Sequence, residues 1–161
     1  MRRFDRARSG LVAVEMAMLA GPFFLLLMGT VEISFIGAAQ QLLENAAYNT
    51  SRLAATGYSA SGKTQMQTVS QILTNELQSL GTFIDTTKVT MTETAYNSFG
   101  GIGAGGTAGL GNASQVVVYT VTYPWKFLTP MVGSIMGMQD ANGNWIINLN
   151  SRIVVRNEPY G

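Results

Sequence analysis

The chain has 161 residues, ten lysines and arginines against nine acidic side chains, and neither cysteine nor histidine. Those two absences exclude a disulfide framework, thiolate or imidazole metal sites and any catalytic triad built on a histidine base. No cofactor, metal or catalytic residue is therefore expected. Beyond the first ten residues the basic side chains stand singly, at Arg52, Lys63, Lys88, Lys126, Arg152 and Arg156, which is not the clustered footprint of a nucleic-acid binder.

The small net charge conceals a polarised molecule. Residues 1–10 hold four arginines and one aspartate, a bias that keeps this end of a spanning helix in the cytoplasm. Over residues 11–39 the only ionisable side chains are Glu15 and Glu32. At about 1.5 Å per residue the two carboxylates stand roughly 25 Å apart along a helix, close to the thickness of a hydrocarbon core. Each could reach one interface, so Glu32 is expected at headgroup level rather than in a partner contact. An acidic side chain at mid-bilayer costs about 2.5 to 3.5 kcal/mol and marks function by default, which singles out Glu15. A cleavable secretory signal would have a shorter apolar core, with its small residue after that core. Here Gly10 precedes it, so the helix is expected to remain as an anchor or assembly rod.

The helix is expected to run on past the membrane. Leu42, Leu43, Ala46, Ala47, Leu53 and Ala54 recur at helical spacing, with Glu44, Asn45 and Arg52 on the other side. Gly57 suits a left-handed stop, and Pro22 should bend the helix or free the Met18 carbonyl. A second amphipathic helix is expected over residues 64–80, with Val69, Ile72, Leu73, Leu77 and Leu80 on one face and Thr64 and Gln67 spaced as a capping box.

The period then changes. Residues 88–96 and 115–123 read as strands, the second ended by Pro124. The last strand places Trp145, Ile147, Leu149, Ile153 and Val155 on one face after the turn residues Asn142 and Gly143. Between these last two strands, residues 125–138 are apolar and suit either a short helix over the sheet or a patch dipping into lipid. The domains are thus a basic leader (1–10), a transmembrane and extended helix (11–57) and a small exported α+β domain (58–161).

Two glycine motifs invite nucleotide readings. Residues 100–111 hold seven glycines and are most simply a flexible loop, because a dinucleotide fingerprint needs a strand before it and a helix after it. Residues 57–64, Gly-Tyr-Ser-Ala-Ser-Gly-Lys-Thr, match a P-loop pattern with Lys63 and Thr64 in the phosphate and magnesium positions. A helix is expected before them, however, where the motif requires a buried strand.

Gly10, the run Val12-Ala13-Val14-Glu15, Pro22, Gly29-Thr30-Val31-Glu32, the post-membrane residues 46–57 and the ending 154–160 together resemble the TadE-like family of minor pseudopilins from tight-adherence pilus systems. The resemblance implies a pilin-like α+β fold: a long N-terminal helix, a second helix and a small antiparallel sheet. It implies cleavage by a prepilin peptidase between Gly10 and Leu11, with Glu15 then pairing with the new α-amino group of a neighbouring subunit. The implied partners are that peptidase, the major pilin and other minor pseudopilins, the inner-membrane assembly platform and membrane lipid. The implied location is the bacterial inner membrane, N-terminus inside and C-terminal domain exported, with passage into an extracellular pilus. Leu11 and Met16, where major pilins have aromatic residues, set the chain apart from major subunits. The rival readings are an uncleaved single-span anchor with an exported interaction domain, and a P-loop nucleotide-binding protein.

Overall fold

The computed structural model describes residues 2–80 and 84–159, with side chains from Gly10 onward except that of Leu80. Its elements are α1 (Arg2–Ala55), α2 (Gln65–Leu80), β1 (Thr90–Tyr96), β2 (Thr107–Ala108), β3 (Val116–Lys126), α3 (Pro130–Met136), β4 (Met138–Gln139) and β5 (Trp145–Arg156). The strands form one sheet of order β2-β1-β3-β5-β4. β1 is antiparallel to β2 and β3, and β4 to β5. The amides of Phe127 and Asn157 donate to the carbonyls of Trp145 and Gln115, so β3 and β5 also run in opposite directions. The fold is α+β and pilin-like in its parts. It divides into two compact units, one of residues 1–36 and 126–147, the other of residues 37–125 and 148–161.

In the second unit the distal part of α1 buries Ala39, Leu43, Ala46, Ala47, Thr50, Ser51, Ala54 and Ala55. These residues recur at steps of three and four and nearly all are small, which allows close approach of whatever packs on them. Leu53, expected on this face, is exposed, and the hydroxyl residues Thr50 and Ser51 are buried instead. Ser51 keeps its hydroxyl satisfied by donating to the Tyr48 carbonyl at 2.8 Å, a local bond that suits a small hydroxyl residue to a buried helix face. Around Ala54 gather Val69 of α2, Ala95 of β1, Leu110 and, from β3, Val117 and Tyr119.

The end of α1 is closed by bonds to its last carbonyls. Gly57 adopts φ 73° and donates to Ala54. Gln65 Nε2 donates to the same oxygen, and the Glu158 amide reaches Ala55 at 2.8 Å. These are the orphan carbonyls that every helix C-terminus must satisfy. Buried Asn157 adds bonds from Nδ2 to the carbonyls of Leu110 and Asn112, so the tail ties the glycine-rich loop to the helix end.

The capping box at α2 is present: Gln67 N donates to Thr64 Oγ1 at 3.2 Å, and Thr64 N to Gln67 Oε1 at 3.0 Å. Residues 57–64 are therefore a helix-to-helix turn. Lys63 donates to Gln71 on α2, and the segment before the motif is α1 rather than a buried strand. Residues 100–111 include the short strand β2. β2 pairs with β1, and a Cβ on Gly106 would lie 2.5 Å from Thr94 Cγ2 and 2.6 Å from Tyr96 Cε1.

Pro124 does not end its strand, contrary to expectation. It lies two residues past Thr122, the last residue of β3 opposite β1, so its missing N–H removes no bond from that ladder. Trp145, which shares a face of the last strand with Leu149 and Val155 in the sequence pattern, is half-buried and belongs to the other unit.

Two outcomes follow for the second unit. Lys63→Ala should leave the unfolding free energy from denaturant titration within about 0.5 kcal/mol of the parent, as for an ordinary surface change. Glu93 of β1 has its carboxyl pushed above the ordinary value of 4.5 by partial burial. The folded state thus holds that proton more tightly than the unfolded chain, so charged Glu93 destabilises above its folded pKa and the penalty vanishes as pH falls below the unfolded value. Glu93→Gln should raise the melting temperature at pH 7, with the gain fading toward pH 4, as read from paired melts across that range.

Candidate assembly and membrane site on the N-terminal helix

In the first unit α1 is an apolar rod. Its stretch Gly10–Ala55 contains a segment long and apolar enough to cross a membrane. Leu11, Val12, Met16, Leu19, Phe23, Phe24, Leu26, Val31 and Phe35 are all exposed. Two hydroxyls of its exposed part are satisfied inside the helix: Thr30 donates to the Leu26 carbonyl at 2.9 Å and Ser34 to that of Thr30 at 2.8 Å. Apolar side chains facing outward with polar groups bonded inward is the arrangement a helix needs in lipid.

Gly10, Leu11 and Glu15 lie on this exposed part. Glu15 points outward among apolar neighbours, one turn from Leu11 and Leu19. Among the described residues no hydrogen bond or ion pair to it occurs.

Glu32 behaves differently. Only 1% of it is exposed, so it is enclosed by the chain in a buried contact, which the sequence pattern ranks second to an open position at headgroup level. Its Oε1 and Oε2 each accept from the Leu128 amide at 3.1 Å, and Oε2 accepts from the Thr129 amide at 2.9 Å. Hydrogen bonds to an ionised acceptor are the strong kind, and a buried carboxylate requires such partners.

Three residues earlier on α1, Gly29 faces α3: a Cβ there would lie 3.7 Å from Val132 Cγ2. The segment from Phe127 to Gly137 is itself tightly built. Pro130 occupies the first turn of α3 after Thr129, where a missing N–H costs nothing. Gly133 lets α3 press onto the start of β5, since a Cβ there would stand 2.5 Å from Trp145 Cβ and 3.0 Å from Phe127 Cβ. The Phe127 amide donates to the Trp145 carbonyl at 3.0 Å. Below it, Asp140 accepts from the amides of Asn142 and Asn144. Bonds from Asn144, with Lys126 nearby, hold the Asp140 carboxyl below its usual range. Within residues 125–138 the structure thus places a short helix, Pro130–Met136, on a shaped seat. The packing roles of Gly29 and Gly133 and the part played by the two amides escaped the sequence reading. The Thr129-Pro130 start and the four-residue spacing of Gly133 and Gly137 were the signals available.

Glu32→Ala should leave two amides without their acceptor at a cost of about 1 to 3 kcal/mol. Hydrogen exchange at Leu128 and Thr129 should then accelerate, with Val117 and Tyr119 unchanged. Glu32→Gln, which keeps one carbonyl oxygen, should fall between.

No curated protein and no solved structure matches the chain. The model of the TadE-like protein family matches residues 10–52, which run from the foot of the exposed apolar rod almost to the end of α1, and over that segment the chain is similar to TadE-like proteins.

Proposed function

We propose that the chain is a minor pseudopilin-like structural component of a tight-adherence pilus system. In this reading α1 holds it in the bacterial inner membrane with the N-terminus in the cytoplasm and residues 58–161 exported. A prepilin peptidase cuts between Gly10 and Leu11, and α1 then packs against the helices of the major pilin and other minor pseudopilins at the assembly platform. The observation that carries this reading is the coincidence of the TadE-like segment, residues 10–52, with an apolar rod whose side chains the rest of its unit leaves largely exposed. A rod of that kind supports either lipid or neighbouring helices as its surroundings.

The chemistry of the cut fits the residues. α1 runs unbroken through the Gly10–Leu11 bond, so a peptidase must unwind a turn there. Glycine is about 1 kcal/mol poorer than alanine in a helix, which lowers that cost, and it offers no side chain to obstruct the enzyme. Cleavage creates an α-amino group at Leu11. Pairing it with Glu15 of an adjacent subunit neutralises two charges that would each be costly alone in an apolar bundle.

Intact mass and pilus counts on two variants test this. Gly10→Val should retain residues 1–10 and fail to support pili. Glu15→Ala should be cut normally and remain in the membrane, yet support few pili, because removing a lone carboxylate favours insertion rather than opposing it. Wild-type protein retaining residues 1–10 in piliated cells would replace this reading with a permanent uncleaved anchor.

A further inference from the structure

The short helix α3 buries Val132 and Gly133 against its own unit and turns its remaining apolar side chains outward. Ile135 is 73% exposed, and Leu128, Met131, Met136 and Met138 are exposed around it. No ionisable residue occurs from Phe127 to Gln139, and the charged Lys126 and Asp140 stand at either end. An apolar patch so bounded marks a contact surface.

Its place on α1 identifies the contact. The Glu32 carboxylate holds the Leu128 and Thr129 amides, and Val132 lies against Gly29. Along α1 the distance from Leu11 to Gly29 is about 27 Å, so Gly29 falls near the far edge of a hydrocarbon core about 30 Å thick. At that level of α1 the apolar side chains of Leu26, Met28 and Val31 are exposed as well.

We propose that the segment from Leu128 to Met138 is a second membrane-contacting element, an apolar wedge held against the spanning helix by Glu32 and Gly29 and seated in the lipid boundary opposite the N-terminal end. The inference rests on α1 spanning a bilayer. Glu32 acts as the clamp: enclosed by its amides, it can stand at the edge of the hydrocarbon without a charge facing lipid. The wedge enters in the manner of an interfacial helix, apolar face down and charged ends in the headgroups.

The absence of native cysteine makes the test direct. Single cysteines are placed at Ile135, at Leu19 on the exposed face of α1 and at Asn142 in the hairpin turn. Each is spin-labelled in the full chain, reconstituted in vesicles of phosphatidylethanolamine and phosphatidylglycerol. Collisions with oxygen, which enriches in lipid, are compared with collisions with a water-soluble nickel chelate. The expected result is an oxygen-to-nickel ratio at Ile135→Cys several-fold above that at Asn142→Cys and similar in sense to Leu19→Cys. Adding Glu32→Ala should lower the ratio at Ile135 and leave Leu19 unchanged. A lipid-like Leu19 with a water-like Ile135 overturns the wedge while leaving the spanning helix intact. A water-like Leu19 removes the spanning reading itself, and the wedge with it. An Ile135 label shielded from both reagents means that protein, not lipid, covers the patch, and also overturns the proposal. A ratio at Ile135 that Glu32→Ala leaves unchanged overturns the clamp.

Discussion

One helix has to satisfy two surroundings, and the rest of the structure follows from how it does so. From Leu11 to Phe35 the side chains of α1 are mostly large, apolar and exposed. From Ala39 onward its buried stripe is made of alanine, serine and threonine with a single leucine, Leu43. The first pattern tolerates lipid or other helices because every helical backbone group is bonded within the segment. The second lets a folded unit close around the helix, because small side chains permit close backbone approach and dense packing. Glu32 stands near the change between the two patterns. Its carboxylate reaches 96 residues along the chain to the amides of Leu128 and Thr129.

The parts of the fold governed by short-range patterns were legible in the sequence. The capping box at Thr64 and Gln67, the left-handed stop at Gly57 and the turn at Asn142 and Gly143 depend on residues within a few positions of one another, and each is present as read. The TadE-like resemblance of the front of the chain likewise holds over residues 10–52. Features set by long-range partners were not legible. Nothing local says that Pro124 has run past the end of its neighbouring strand, or that Leu53 turns outward while Ser51 turns in. The burial of Glu32 depends on two backbone amides, which have no sequence signature beyond the Thr129-Pro130 helix start.

The two glycine motifs show the same division. A P-loop is a strand, a turn and a helix acting together on phosphate, and the letters of residues 57–64 supply only the turn and the helix. Between two helices, the same glycines serve as a left-handed stop at Gly57 and a turn at Gly62, and Lys63 lies along α2 toward Gln71. The glycines of residues 100–111 serve close packing instead. Gly106 passes over Tyr96, and Gly111 combines a φ of 68° with a Cβ site only 2.9 Å from Ala95 Cβ. A composition that suggests freedom is there used for contact.

The two carboxylates of α1 are set apart by the same physics. Each lies in an apolar stretch where a lone charge is costly, and each therefore needs a partner. For Glu32 the chain supplies that partner itself, in amides at 2.9 to 3.1 Å, and the side chain becomes part of the fold. For Glu15 no such partner occurs among the described residues, and the side chain is exposed on the rod. A carboxylate whose oxygens the fold already holds in hydrogen bonds has little to gain from a neighbouring molecule. One left facing outward in apolar surroundings gains a great deal, since a cation brought to it removes the cost of two isolated charges at once. That asymmetry gives Glu32 to architecture and directs the search for an intermolecular contact to Glu15.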